Sequence, residues 1–264
     1  MAILASSRQS RCQSRRQHQA PLAEMLLPAV ILSLAALVKP SLGEEYPGRV
    51  ANIPDTMKEE ILNKLNAIRR GVQPPASNML KLVWSENAAA NARNWARKCR
   101  GTASPKEERI VDGALCGDSR LQTTFPMSWS DIVDVWNRKA SNFKYGIGAI
   151  DRRKDIYTYT QMIWHNSFKV GCTMSFCREN EYNFLYVCRF CPAGNYEDEI
   201  PTPYKEGPPC GDCPNSCENN LCVHTCDYVD SSAYCETMLT MYTCESQFLQ
   251  EMCAATCKCP RGST

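Results

Sequence analysis

Ten of this chain's 17 cysteines lie in its last 55 residues, from Cys210 onward. So short a stretch cannot bury enough apolar surface to fold on a core of its own, so covalent or metal crosslinks must hold it. Which of the two applies depends on the compartment, and the N-terminus bears on that. Arg8, Arg11, Arg15 and Arg16 precede an apolar run over residues 25–38, and Ser41-Leu42-Gly43 places small side chains where a signal peptidase needs them. The run has 14 residues and includes Pro28, short of the roughly 20 apolar residues that span a bilayer. Residues 1–43 are therefore expected to be a secretory signal peptide, with no stable membrane anchor; Met25 is a second candidate start.

Cleavage near Gly43 removes Cys12 and leaves 16 cysteines, an even number, with 25 basic against 27 acidic residues. An even count behind a leader argues for disulfides in an oxidising compartment, each stabilising by about 2–4 kcal/mol. The near-neutral balance gives no electrostatic reason to expect a nucleic acid or an anionic membrane as partner. No Asn-x-Ser/Thr sequence occurs, so N-glycosylation is not expected.

Apolar Met57, Ile61, Leu65 and Ile68 recur at helical spacing over residues 57–70, with Asp55 and Thr56 available as caps. After a Pro74-Pro75 break, Ser85 opens an alanine-rich helix through Cys99, whose small side chains permit close approach by another element. Residues 100–125 are irregular and polar and read as a long surface loop tied down by a disulfide. Ser128, with Asp131 three residues on, starts a third helix bearing Ile132, Val135 and Trp136. Residues 169–177 and 182–190 read as the two strands of an antiparallel hairpin joined by a polar turn. Helices followed by a hairpin, without βαβ alternation, predict an α+β layered domain. The acidic, proline-rich residues 197–209 suit a semi-extended linker. In the cysteine-dense tail, residues 246–257 suit a helix presenting Phe248, Leu249 and Met252.

The stretches LNAIRRGVQPPASNMLKLVW, NARNWARKC, YTQMIW and LYVCRFCPAGN, then CGDCPNSCENNLC and CAATCKC, resemble the cysteine-rich secretory proteins over essentially all of the chain after the leader. The resemblance implies an α-β-α sandwich of the pathogenesis-related, antigen-5-like type over 44–196. A linker over 197–209, a disulfide hinge over 210–225 and a small, mostly helical, sea-anemone-toxin-like module over 226–264 would come after it. The resemblance also implies the pairs Cys99–Cys177, Cys116–Cys191 and Cys172–Cys188, then Cys210–Cys217 and Cys213–Cys222, then Cys226–Cys259, Cys235–Cys253 and Cys244–Cys257. Spacing alone does not choose among such pairings.

Relatives hold two histidines and two acidic residues in a cleft able to bind a divalent metal, and none of those four positions is kept here. Ala103 and Thr158 stand where histidines are expected, Asp118 in Gly117-Asp118-Ser119 replaces a glutamate, and Lys139 replaces the second one. A lysine there repels a divalent cation and is able to pair with Asp118 instead, so no metal and no cofactor is expected. His165, the only histidine of the large domain, reads as a packing or surface residue. No Gly-x-Ser-x-Gly, His-Glu-x-x-His or glycine-rich phosphate loop occurs, and paired cysteines leave no thiol nucleophile.

These features together predict a secreted, non-enzymatic binding protein of the extracellular space. The resemblance implies a cell-surface partner, either a gamete-surface component in sperm maturation and fertilisation or an ion channel. A venom toxin of the same family is the alternative, and a metal-dependent hydrolase or a sterol carrier has less to support it. Lysine plugging of a channel is disfavoured by the tail's seven acidic residues against Lys258 and Arg261. Tyr228, Tyr234, Tyr242 and Phe248 either form a contact surface or fill a small core.

Overall fold

The computed structural model describes residues 48–259 except 227, 229 and 233; the expected leader and Arg261 lie outside them. Strand β1 (Gly48–Val50) leads into helix α1 (Asp55–Arg70), then β2 (Val83–Trp84) and helix α2 (Glu86–Ala96). Two short strands, β3 (Ile110–Val111) and β4 (Ala114–Leu115), precede β5 (Gly117–Thr123), helix α3 (Trp129–Asn137) and the small hairpin β6 (Phe143–Lys144) and β7 (Gly148–Ala149). Helix α4 (Tyr157–Met162) is followed by the long strands β8 (Lys169–Cys177) and β9 (Phe184–Cys191). The tail adds β10 (Cys217–Glu218), β11 (Leu221–Cys222) and the short helices α5 (Cys235–Met238), α6 (Gln247–Met252) and α7 (Ala254–Lys258).

The β8–β9 hairpin is the centre of the central sheet, with β5 antiparallel along β9 and both β1 and β2 along β8. Alternation sorts its side chains. Val170, Cys172, Tyr186, Cys188 and Phe190 enter the main core with Ile61 and Leu65 of α1 and Ile132 and Trp136 of α3. Leu185, Val187 and Cys177 face Ala92, Trp95 and Ala96 of α2 on the other side. The result is an α-β-α sandwich. The alanines of α2 permit its approach: a Cβ on Gly171 of β8 would collide with the backbone of Ala88 and Ala89.

The helix starts follow local chemistry. Ser85 Oγ accepts from Ala88 N and Ser128 Oγ from Asp131 N, each satisfying an N–H that the first turn leaves unpaired. Helix α1 departs from expectation, since Pro54 occupies its N-cap without a side-chain bond and Met57 is exposed. Its buried face instead includes Asn66 and Arg69. Arg69 directs all five N–H groups at main-chain oxygens: Nε to Leu80, Nη1 to Met162 and Trp164 (2.8 Å each), and Nη2 to His165 (3.0 Å) and Ser167 (2.9 Å). Burial lowers its pKa to about 9.

Three expectations are corrected. The expected loop over residues 100–125 contains β5, a strand of the sheet, hidden in the sequence because polar Asp118, Arg120 and Gln122 form one of its faces. Residues 197–209 are no free linker, because Tyr204 is buried with Met79 and Ile163 and the strap is hydrogen-bonded along its length. His165 N donates to Pro203 O, Ser77 N to Lys205 O (2.9 Å each) and Gly146 N to Pro201 O (2.8 Å). Thirdly, the helix expected over residues 246–257 is two helices, α6 and α7, broken at Cys253, whose φ of −121° and ψ of 49° leave the helical region.

Among the described residues, eight disulfides join Cys99 to Cys177, Cys116 to Cys191, Cys172 to Cys188, Cys210 to Cys217, Cys213 to Cys222, Cys226 to Cys259, Cys235 to Cys253 and Cys244 to Cys257. Cys172 and Cys188 are direct cross-strand neighbours. Residues 210–224 lie against the sandwich: Cys222 N donates to Met79 O (2.8 Å), Lys81 N to Cys222 O (2.7 Å), and Phe168 packs among Cys210, Cys213 and Cys222. Among the described residues, no helix is long and apolar enough to cross a membrane.

Candidate functional site

Asp118 on β5 stands directly opposite Arg189 on β9, and its side chain is 3% exposed. Its Oδ2 accepts from Ser104 N, Ser104 Oγ and Arg120 Nη1, all at 3.0 Å. Its Oδ1 meets Arg189 Nη1 at 2.7 Å, a close ion pair poorly aligned as a hydrogen bond. Arg189 is fully buried, and its Nε donates to Asn91 Oδ1 of α2 at 2.8 Å. Burial pushes the Arg189 pKa down while Asp118 opposes the shift, as expected for a cation held in a poorly solvated place by one carboxylate.

The other three candidate positions do not join this cluster. Ala103 is exposed, next to Ser104. Lys139 pairs with Asp155, not with Asp118, because Asp118 is already saturated by two guanidinium groups and Ser104. Asp155 also accepts from Tyr157 N (2.7 Å) at the start of α4, which fixes it beside Lys139. The Thr158 hydroxyl is buried without a hydrogen-bond partner among the described residues.

These residues do not fit a divalent metal. Ala103 offers no ligand atom, Lys139 is a cation, and the lone pairs of Asp118 face arginines, while zinc needs neutral imidazoles, thiolates or unpaired carboxylates. Elsewhere among the described residues, the group of potential ligands within reach of one another is Cys210, Cys213 and Cys222. All three are oxidised in disulfides.

His165 lies in a cleft of about 530 Å³ between the sandwich and the tail, lined also by Trp164, Tyr196, Lys205, Asp212 and Asp230. Its Nδ1 is 3.2 Å from Pro203 O. Burial, reinforced by Arg69 and opposed by the Pro203 contact and Asp212, lowers its pKa to about 4. The imidazole is therefore neutral at physiological pH, and its Nδ1 partner is a main-chain carbonyl, not a nucleophile awaiting deprotonation. Lys205 and Asp212 pair across the cleft at 3.0 Å.

The tail places its aromatics outward. Leu249, Cys235 and Cys253 form the small core, while Tyr228, Tyr234, Tyr242 and Phe248 are exposed. Met241 is 68% exposed, and the rings of Tyr242 and Phe248 meet edge-on at 6.3 Å. Sequence reasoning weighs Lys258 alone and misses its neighbour, since its Nζ sits 4.6 Å from the ring centre of Tyr228. The 30-residue separation between them gives no local signal of that contact.

Residues 62–190 match the model of the cysteine-rich secretory protein family, and residues 210–263 match the Crisp model. The fold is similar to the crystal structure of Na-ASP-1, with 25% identity and a TM-score of 0.55, covering 68% of this chain and 50% of that one. This chain thus spans half the length of that protein. Also similar are the crystal structure of NaASP2 with Zn2+ (20% identity, TM-score 0.54, covering 64% and 96% of the two chains) and that of Hookworm Platelet Inhibitor (18%, 0.52, 66% and 94%). These last two likenesses concern the fold.

Proposed function

Because this chain belongs to the cysteine-rich secretory protein family, we propose that it is a secreted binding protein without catalytic activity, which engages cell-surface proteins through its C-terminal module. The observation that carries this reading is the apolar tip of that module. Met241, Tyr242 and Phe248 are each at least half exposed, on helices and turns pinned by Cys235–Cys253 and Cys244–Cys257. Rigid aromatic side chains held out of the core lose little conformational entropy on docking, which is how interface anchors work.

Secretion is supported by the disulfide density, by the family and by the leader pattern of residues 1–43. Absence of catalysis is supported by the chemistry at the degenerate metal positions, where Lys139 is a cation paired with Asp155 and Asp118 is neutralised by Arg189, so that neither offers a metal ligand or a free general base. Two roles fit such a surface: binding to a gamete-surface component in sperm maturation or fertilisation, and regulation of an ion channel. The exposed Lys258 beside Tyr228 gives the channel role a cation with an aromatic neighbour, and the acidic surroundings of the module work against it.

Two experiments separate these roles. Fluorescently labelled mature protein is expected to bind sperm or other target cells saturably, and to lose that binding when the cells are treated with protease. Unsaturable binding, or binding indifferent to protease, contradicts a protein receptor. Patch-clamp recording with wild type and Lys258→Ala tests the channel role, which fails if wild type alters no potassium, calcium or ryanodine-type current.

A further inference from the structure

Residues 138–157 carry six basic side chains, Arg138, Lys139, Lys144, Arg152, Arg153 and Lys154, against two acidic ones, Asp151 and Asp155. The rest of the expected mature chain has 19 basic and 25 acidic residues, so a positive patch sits on a negative molecule that looks neutral when averaged. Lys139 and Arg153 are paired with Asp155 and Asp151. Lys144, Arg152 and Lys154 are exposed, with no ion pair among the described residues.

The same segment holds out two branched aliphatic side chains, Ile147 at 60% and Ile150 at 63% exposure. Their position is fixed by the frame beneath them. Phe143 and Tyr145 turn inward onto Tyr159 and Tyr204, and Gly146 and Gly148 make the turn with φ of 78° and 88°. Asn142 ties the following basic turn to the hairpin. Its side-chain N–H groups donate to Asp151 O and Lys154 O (3.0 Å each), and its carbonyl accepts from Ile150 N (2.8 Å). The hairpin itself is anchored through Gly146 N to Pro201 O.

We propose that this hairpin and the basic turn after it adsorb reversibly to a bilayer with anionic headgroups. Ile147 and Ile150 enter the boundary between headgroups and acyl chains, and Lys144, Arg152 and Lys154 meet the phosphates. Apolar side chains interleaved with bases are what such an interface selects, whereas a sulfated polysaccharide would use the charge and leave both isoleucines in water. Each base near an anionic surface strengthens adsorption roughly fivefold. The acidic turn Glu197–Glu199, tethered close by through Pro201, acts against it.

Co-sedimentation of the mature protein with vesicles of phosphatidylcholine, with and without phosphatidylserine, tests this. Pelleting is expected with the anionic vesicles only. The affinity should fall about tenfold or more in R152E/K154E, and clearly in I147S/I150S, and should rise in E197Q/D198N. All three variants change exposed side chains, and matching circular dichroism spectra establish that each is folded. Pelleting that survives I147S/I150S overturns the proposal, as does retention on heparin through these bases without any vesicle binding.

Discussion

Arg69 is a buried cation without a carboxylate, held by five carbonyl dipoles drawn from residues 80 and 162–167. Its burial follows from geometry: one planar group with five fixed donors closes the gap between the end of α1 and the chain leaving α4. Replacing it by alanine leaves those oxygens without their partner in a dry place, so Arg69→Ala is expected to cost about 3–5 kcal/mol in denaturant unfolding with disulfides intact. Arg69→Lys should recover only part, having fewer donors and no planar fork. A loss below about 1 kcal/mol in Arg69→Ala contradicts this role. His165 makes the molecule acid-sensitive. Its pKa of about 4 in the fold lies below the 6.5 of an ordinary histidine, so the unfolded chain takes up the proton first. Its contribution is intact above about pH 6.5 and declines as pH falls toward 4, by about 3 kcal/mol in all. His165→Gln should flatten the stability profile across that window, and an unchanged slope would count against the assignment.

Among the elements, β8 and β9 are legible in the sequence because β8 alternates, β9 is apolar nearly throughout, and each carries two cysteines, one of them at its C-terminal end, and α2 and α3 because Ser85 and Ser128 announce them. Strand β5 is not. Its Asp118 and Arg120 face a polar layer containing Arg189 and Asn91, so the apolar alternation that marks a half-buried strand is missing. For the same reason the candidate cleft is only half readable. The loss of its histidines and of a glutamate shows in the sequence, but the capture of Asp118 by Arg189 depends on strand pairing between residues 71 positions apart. That pairing is testable. Asp118→Ala leaves Arg189 buried without its countercharge and should destabilise by about 3–5 kcal/mol, whereas Asp118→Ala with Arg189→Met should regain most of the loss. Additive losses in the double variant would show that the two side chains do not depend on each other. The strap over residues 197–209 escapes sequence reading because proline and acid content describe only an isolated segment; Tyr204, with Met79 and Ile163 to pack against, binds it to the sandwich.

Across the molecule, the scaffold and the exposed tip divide the work. The disulfides and the sheet hold Asp118, Lys139 and Thr158 where they offer no ligand set for a metal, while Met241, Tyr242 and Phe248 stand in solvent at the end of a crosslinked module. Titration of the dialysed protein with zinc should therefore give no stoichiometric binding at Asp118, and a saturable site abolished by Asp118→Ala would reverse that view. In the proposed function, recognition falls to the tip and not to the degenerate metal positions. Saturation binding of labelled mature protein to target cells, comparing wild type, the tip variant M241S/Y242S/F248S and Lys139→Ala at a degenerate metal position, decides between them. A dissociation constant at least about tenfold weaker is expected for the tip variant, with no change for Lys139→Ala; full binding by the tip variant together with loss in Lys139→Ala would place recognition around Lys139 instead.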